Sequence, residues 1–168
     1  EHLISYLTPG ATVLDVGCGS GIPIDEYLLA KGFAVNGIDI SDKQIEMARR
    51  NNPQGFYEVK DMATLHDFEY CVNGIVSFYA IFHTPRETHG ELFKKFASFL
   101  PNGGALLVTM GVGDNPGAEE TFQGVPMFYS FFPPEKNTQL IASAGFSIVV
   151  NEIDTTGGEK HQVILATI

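Results

Sequence analysis

The chain alternates short apolar runs with amphipathic stretches, and that alternation sets the expected architecture. Residues 12–16 form a buried strand that runs into a glycine-rich turn, Gly17-Cys18-Gly19-Ser20-Gly21. A helix over about 22–31 follows, closed by Gly32. Residues 33–38 are a second strand with Asp39 at its tip, and Ser41 with Gln44 three residues on is a helix-starting capping box. Asn51-Asn52-Pro53 ends that helix, and 56–60 is a third strand leading to Asp61-Met62. A fourth strand, 74–79, leads to Ile81-Phe82-His83.

Thr84-Pro85-Arg86-Glu87 has the form of a second capping box. The helix it starts carries Leu92, Phe93, Phe96, Phe99 and Leu100 on one face. Residues 105–110 are a fifth strand. Residues 111–132 are rich in Gly, Pro and aromatics without clear periodicity, and read as a long loop that is functional or mobile. A helix over 134–144 and two strands, 146–152 and 162–168, joined by a turn at 154–158, complete the chain. Strands alternating with helices predict an α/β fold, a doubly wound, mostly parallel sheet covered on both faces, with the closing hairpin making one strand antiparallel.

Composition narrows the partners. With 168 residues, 44% of them hydrophobic, the chain makes one domain, 1–168. Leu3, Ile4 and Leu7 read as the tail of a helix whose start lies outside the sequence. The formal charge of -10 repels phosphate backbones and anionic lipid, so neither nucleic acid nor a membrane is an expected partner. Two cysteines make neither a disulfide framework nor a zinc site, and no metal-ligand cluster is seen. With no apolar run near 18 residues and no leader, a cytoplasmic location is expected, as monomer or homodimer.

Ligands of such sheets bind outside the carboxyl ends of the strands. Gly17, Gly19 and Gly21 let the backbone turn sharply and approach a ligand, or simply make a tight turn; Cys18 is small enough to sit among them. Asp15, just before the loop, is placed to accept from a ligand ammonium. Asp39 stands 18 residues beyond Gly21, at the next strand tip, where a carboxylate receives ribose hydroxyls. Asp61 and Met62 suit an adenine edge and face, or are a turn Asp beside a core Met.

These residues carry a family resemblance. Residues 13–21, Val-Leu-Asp-Val-Gly-Cys-Gly-Ser-Gly, resemble the first motif of class I, Rossmann-like S-adenosylmethionine-dependent methyltransferases. Gly37-Ile38-Asp39-Ile40-Ser41 is similar to their ribose-binding motif and Lys60-Asp61-Met62 to the adenine-contacting one. Residues 75–83 resemble the segment after strand four in the small-molecule branch; Leu100-Pro101-Asn102-Gly103-Gly104 and Ala144-Gly145-Phe146 match as well. The resemblance spans nearly the whole chain. It implies a seven-stranded sheet of order 3-2-1-4-5-7-6, strand seven antiparallel. It also implies S-adenosyl-L-methionine as cofactor, with the glycine loop under its methionine part. Asp39 then takes the ribose, Ile40 lies against the adenine, Asp61 and Met62 hold the adenine edge, and the backbone of Ser77 or Phe78 meets the ammonium.

A nicotinamide dehydrogenase is the rival enzyme, but its third glycine belongs where Ile22 stands. A non-catalytic cofactor sensor or partner subunit is the rival outside catalysis. Methyl transfer by direct displacement chiefly needs alignment, with a general base where the acceptor carries a proton. His83, beyond the fourth strand, is the candidate base, or else a packing residue; Tyr79 is a second catalytic candidate. Tyr6, Met127 and Tyr129 are candidate contacts to a small-molecule methyl acceptor, and His161 reads as structural. The aromatics of 111–132, Phe122, Met127, Phe128, Tyr129, Phe131 and Phe132, form either a lid over the acceptor or a satellite core. Ser77-Phe78-Tyr79-Ala80 stands where an Asn/Asp-Pro-Pro-Tyr run would signal methylation of base or glutamine amino groups.

Overall fold

A computed structural model describes residues 2–122 and 124–168. Seven strands form the main sheet: β1 (Thr12–Val16), β2 (Ala34–Asp39), β3 (Phe56–Val59), β4 (Gly74–Ser77), β5 (Ala105–Gly111), β8 (Ser147–Asp154) and β9 (His161–Thr167). Their order is β3-β2-β1-β4-β5-β9-β8. β9 alone runs antiparallel to its neighbours, β5 and β8. This is the order that the family resemblance implies.

The sheet is buried on both faces because period-two alternation places apolar side chains on each. In β1, Leu14 and Val16 face the cluster built by α3 (His89–Phe99) and α4 (Pro134–Ser143). Val13 faces the other side, with Leu28 of α1 (Ile24–Ala30) and Leu3 of a short 3-10 turn, Leu3–Tyr6. Phe93, Phe96 and Phe99 of α3 are fully or almost fully buried, each worth roughly 1.5–3 kcal/mol of transfer free energy. α2 (Asp42–Asn51) packs Ile45 and Ala48 on Tyr57 of β3. Its capping box is half realised: the Ser41 hydroxyl accepts from the Gln44 N–H. No helix among the described residues is long and apolar enough to cross a membrane.

Three expectations need correction. The segment 111–132 is not an irregular loop. It holds an antiparallel hairpin, β6 (Asn115–Phe122) and β7 (Val125–Phe131), which forms a sheet of its own. Aromatics on both faces of β7, Pro126 within it and Gly117 in β6 hide the alternation that marks a strand. Gln123, and the Phe122 side chain expected in a lid, lie outside the described residues. The box at 84–87 does not start α3. Thr84 donates its hydroxyl back to the Ile81 carbonyl, a 3-10 turn occupies Arg86–Thr88, and α3 begins at His89. α1 likewise begins at Ile24, two residues after the expected start.

Candidate functional site

β1, β2, β3 and β4 end at one edge, and their tips are knitted together. The N–H groups of Gly17 and Cys18 donate to the Ile38 carbonyl at 2.8 and 3.0 Å, tying the glycine loop to β2. Gly17, Gly19 and Gly21 all have positive φ (80°, 54° and 71°), which requires glycine or a strained residue. A Cβ at Gly17 would overlap the Ala80 methyl beyond β4 and lie 3.7 Å from Cε of Met62. Three strand tips therefore converge on one glycine.

Asp39 holds this arrangement. Its Oδ2 accepts from the Gly19 N–H at 3.0 Å and its Oδ1 from the Ser41 N–H at 2.9 Å. Each oxygen keeps a further lone pair. Ile40 next to it is 70% exposed, an apolar side chain left open at the rim. Asp61 accepts from the Ala63 N–H at 2.9 Å and so starts the turn that holds Met62 half-buried beside the loop. The Ser77 hydroxyl donates to the Val16 carbonyl at 2.7 Å, so this side chain fastens β4 to β1, and only its backbone and that of Phe78 remain for a ligand.

Asp15 departs from expectation. It is 3% exposed and points at Asp25 of α1, which is fully buried. Burial first, then the neighbouring Asp25, push the Asp15 carboxyl well above its ordinary range; burial also raises Asp25. Oδ1 of Asp15 and both oxygens of Asp25 have no partner elsewhere among the described residues, as expected for an acid and a carboxylate sharing a proton. The Tyr57 hydroxyl and Asn52, whose amide donates to the Gly21 carbonyl at 2.9 Å, complete a polar prop under the loop. Asp15 thus supports the loop from below rather than offering an open carboxylate to an ammonium.

Beside this crevice lies a cavity of about 770 Å³ between the β4 tip, the hairpin and the β8–β9 connection. Tyr79, His83, Met127 and Tyr129 all line it, as do Phe82 and His161. Tyr79 has φ 55°, an outlier for a bulky residue; its N–H donates to the Thr109 hydroxyl at 2.7 Å. Nδ1 of His83 lies 2.8 Å from the Phe128 carbonyl oxygen of the hairpin. A carbonyl only accepts, so Nδ1 carries the hydrogen and, in the neutral ring, Nε2 keeps a free lone pair. Tyr6 is not brought here: its neighbours Leu3 and Leu7 pack over Gly74, at the opposite end of β4.

The hairpin is anchored at its stem. The Phe131 ring sits where a Cβ on Gly111 would be, and the Arg86 guanidinium pairs with Asp114 and lies 4.6 Å from the Phe132 ring centre. One amide, on Asn137, donates to the carbonyls of Gly111 and Phe132 and to Gln162. That buried hub holds Gln162, which directly follows His161 in β9.

Sequence reasoning missed Asp25, Phe82, His161 and the two carboxylates that line the cavity, Glu120 and Glu159. For His161 a signal existed. β9 is antiparallel, so its first residue lies at the edge where the parallel strands end, opposite Gly111. For Asp25 it was the spacing to Leu28, which puts both on the inner face of α1.

A glycine crevice at the carboxyl edge of a doubly wound sheet, opening beside an aromatic cavity, defines a two-compartment site of the nucleoside-binding transferase type. Comparison with known proteins gives the particular family. Residues 13–104 match the family described as "Methyltransferase domain", and the chain belongs to it. Its cofactor is S-adenosylmethionine. The chain is 27% identical to a ubiquinone biosynthesis O-methyltransferase of Coxiella burnetii, over 90% of this chain and 68% of that protein. Its fold is similar to that of an S-adenosylmethionine-dependent methyltransferase from Methanosarcina mazei, with TM-score 0.80 and 21% identity, over 97% of this chain and 94% of the other. It also resembles the 1,6-didemethyltoxoflavin-N1-methyltransferase of Burkholderia thailandensis (TM-score 0.77, 20% identity, 99% of this chain and 74% of the other).

Proposed function

We propose that the chain methylates a small molecule held in the hairpin-covered cavity, with the cofactor seated across the Gly17–Gly21 loop, Asp39 and Asp61-Met62. One observation carries this reading: consecutive residues at the β4 tip face the two compartments. Ala80 touches Gly17 of the crevice, while Tyr79, next to it, lines the cavity.

The residues fit the cofactor. The missing Cβ at Gly19 leaves backbone open to it, with nothing nearer than 4.0 Å to a Cβ built there, while the missing Cβ at Gly17 makes room for the Ala80 methyl. The spare lone pairs of Asp39 suit two ribose hydroxyls, Ile40 offers an apolar face to the adenine, and Asp61 and Met62 its edge. The Phe78 backbone, with the side chain half-buried, meets the ammonium end. When bound, S-adenosylmethionine supplies a methyl carbon on a sulfonium whose thioether is a good leaving group.

The chain's own part is to align and to move a proton. Tyr79 and Tyr129 confine the acceptor, and alignment of this kind is worth on the order of 7–11 kcal/mol. His83 Nε2 takes the acceptor's proton, while the Phe128 carbonyl steadies the ring through Nδ1–H. The relative from Coxiella is named for O-methylation and the structural neighbour from Burkholderia for N-methylation, both of small molecules.

The test is transfer of a labelled methyl group from S-adenosylmethionine to fractions of a small-molecule extract. Labelled product that depends on the protein, and falls at least tenfold in His83→Ala with cofactor affinity kept, is the expected result. Failure to bind either the cofactor or its demethylated product refutes the reading.

A further inference from the structure

The rings of the cavity are not scattered. Phe82, nearly buried, forms a floor that three others meet: His83 at 4.8 Å between ring centres, His161 at 5.9 Å and Tyr129 at 6.0 Å. Tyr79 meets His161 edge-on at 4.7 Å, and His83 lies 4.7 Å from Tyr129. The result is a continuous aromatic wall facing open space, and its outer member is held in a strained backbone conformation. Strain of that kind persists only where the surroundings enforce it, and it gathers at ligand sites.

The charges at the mouth are unequal. Glu120 of the hairpin and Glu159 of the β8–β9 connection line the cavity, against one ammonium, Lys160. Glu159 lies 3.7 Å from His161. Both carboxylates reach the ring cluster electrostatically: after burial, their charges are what push the Tyr129 hydroxyl upward. Among the described residues no arginine lines the space; Arg86 is engaged with Asp114 and the Phe132 ring. The chain as a whole carries -10.

Ring faces present negative charge to what they enclose, and carboxylates add to it. A carboxylate or phosphate acceptor would meet this wall with like charge. A protonated or quaternary nitrogen would be attracted by ring faces and mouth together. We propose that the cavity contains a cation subsite: the acceptor carries a positively charged nitrogen group held against the Tyr79–Phe82–Tyr129 wall and drawn in by Glu120 and Glu159. The subsite fixes the acceptor's charged end; the methyl-accepting atom lies toward Ala80, where the cofactor crevice opens. This deepens, and rests on, the reading of the cavity as the acceptor site.

The test compares two probes of one shape. Choline and 3,3-dimethylbutan-1-ol differ in charge at a single centre. Their affinities for the protein, loaded with S-adenosylhomocysteine, are measured by ligand-observed NMR titration. Choline is expected to bind at least tenfold tighter than the neutral isostere. In Glu120→Gln/Glu159→Gln choline affinity should fall at least fivefold with that of the isostere unchanged. Both positions are exposed, so the variant should keep the wild-type melting temperature. Lys160→Gln should tighten choline. Equal affinities, a preference for the isostere, no binding of choline, or indifference to the double substitution would each overturn the subsite. None of these readouts uses turnover, so failure here is separable from failure to bind cofactor or to transfer a methyl group.

Discussion

Asp39→Ala is the substitution that most directly probes how the strand tips are held. The carboxylate now accepts two backbone N–H groups, from Gly19 and Ser41, at 3.0 and 2.9 Å. Hydrogen bonds to a charged acceptor contribute about 1.5–3 kcal/mol each. Water reaches the half-buried Ser41 N–H once the side chain is gone, so the loss falls short of the sum, at roughly 2–3 kcal/mol. For a domain of this size that lowers the melting temperature by roughly 4–12 °C. Cofactor binding loses more. The spare lone pairs that suit the ribose vanish with the carboxylate, which weakens affinity by a further factor of about 10–150. Asp39→Asn keeps the shape and one acceptor oxygen but turns a donor toward a donor. It should fall between wild type and Asp39→Ala in both measurements. Thermal unfolding without cofactor and isothermal titration with S-adenosylhomocysteine separate the two effects. An Asp39→Ala protein that melts at the wild-type temperature and titrates with an unchanged Kd would refute the reasoning.

Other expectations follow from the same geometry. Gly17→Ala places a methyl group on Ala80 at a φ of 80°, and should abolish cofactor binding while the domain stays folded; a normal titration contradicts it. His83→Ala should lower kcat at least tenfold with little change in cofactor affinity, and His83→Gln should not restore it; equal rates for all three remove His83 as the proton acceptor. The Asp15–Asp25 pair makes a claim about pH. Burial raises both folded-state values, so the folded protein keeps protons that the unfolded chain releases. That contribution to stability is full below the ordinary aspartate value of about 4 and is lost as pH rises through the raised values. Asp25→Asn should therefore gain on wild type in urea unfolding between pH 5 and pH 8; parallel pH profiles would sink the shared-proton account.

The parts of the fold legible in the sequence were those where one force dominates. Strands buried on both faces read as apolar runs because nothing polar survives there, as in β5, all of whose residues are buried. The glycine loop was legible because only glycine tolerates its backbone, and Asp39 because it ends a strand at a set distance from that loop. What stayed hidden depends on contacts between distant segments. Asp25 pairs with Asp15 across a strand-to-helix turn; its spacing to Leu28 sets it on the inner face, apart from the exposed Glu26, but does not reveal the partner it meets there. Thr84 could cap a helix, but its hydroxyl found the Ile81 carbonyl first. In the hairpin, Met127, Tyr129 and Phe131 face the cavity, but Phe128 on the opposite face of β7 and Pro126 beside them blur the alternation that would have marked the strand.

The hairpin belongs to no ladder of the main sheet; it is hung between β5 and α4 by its stem. Its residues can therefore change with little penalty to the nucleoside half of the molecule. On the proposed acceptor site, exchanging residues 115–129 for the equivalent insert of another such enzyme, while Gly111, Asp114, Phe131 and Asn137 stay as the mounting, is a route to new acceptors on an unaltered chassis.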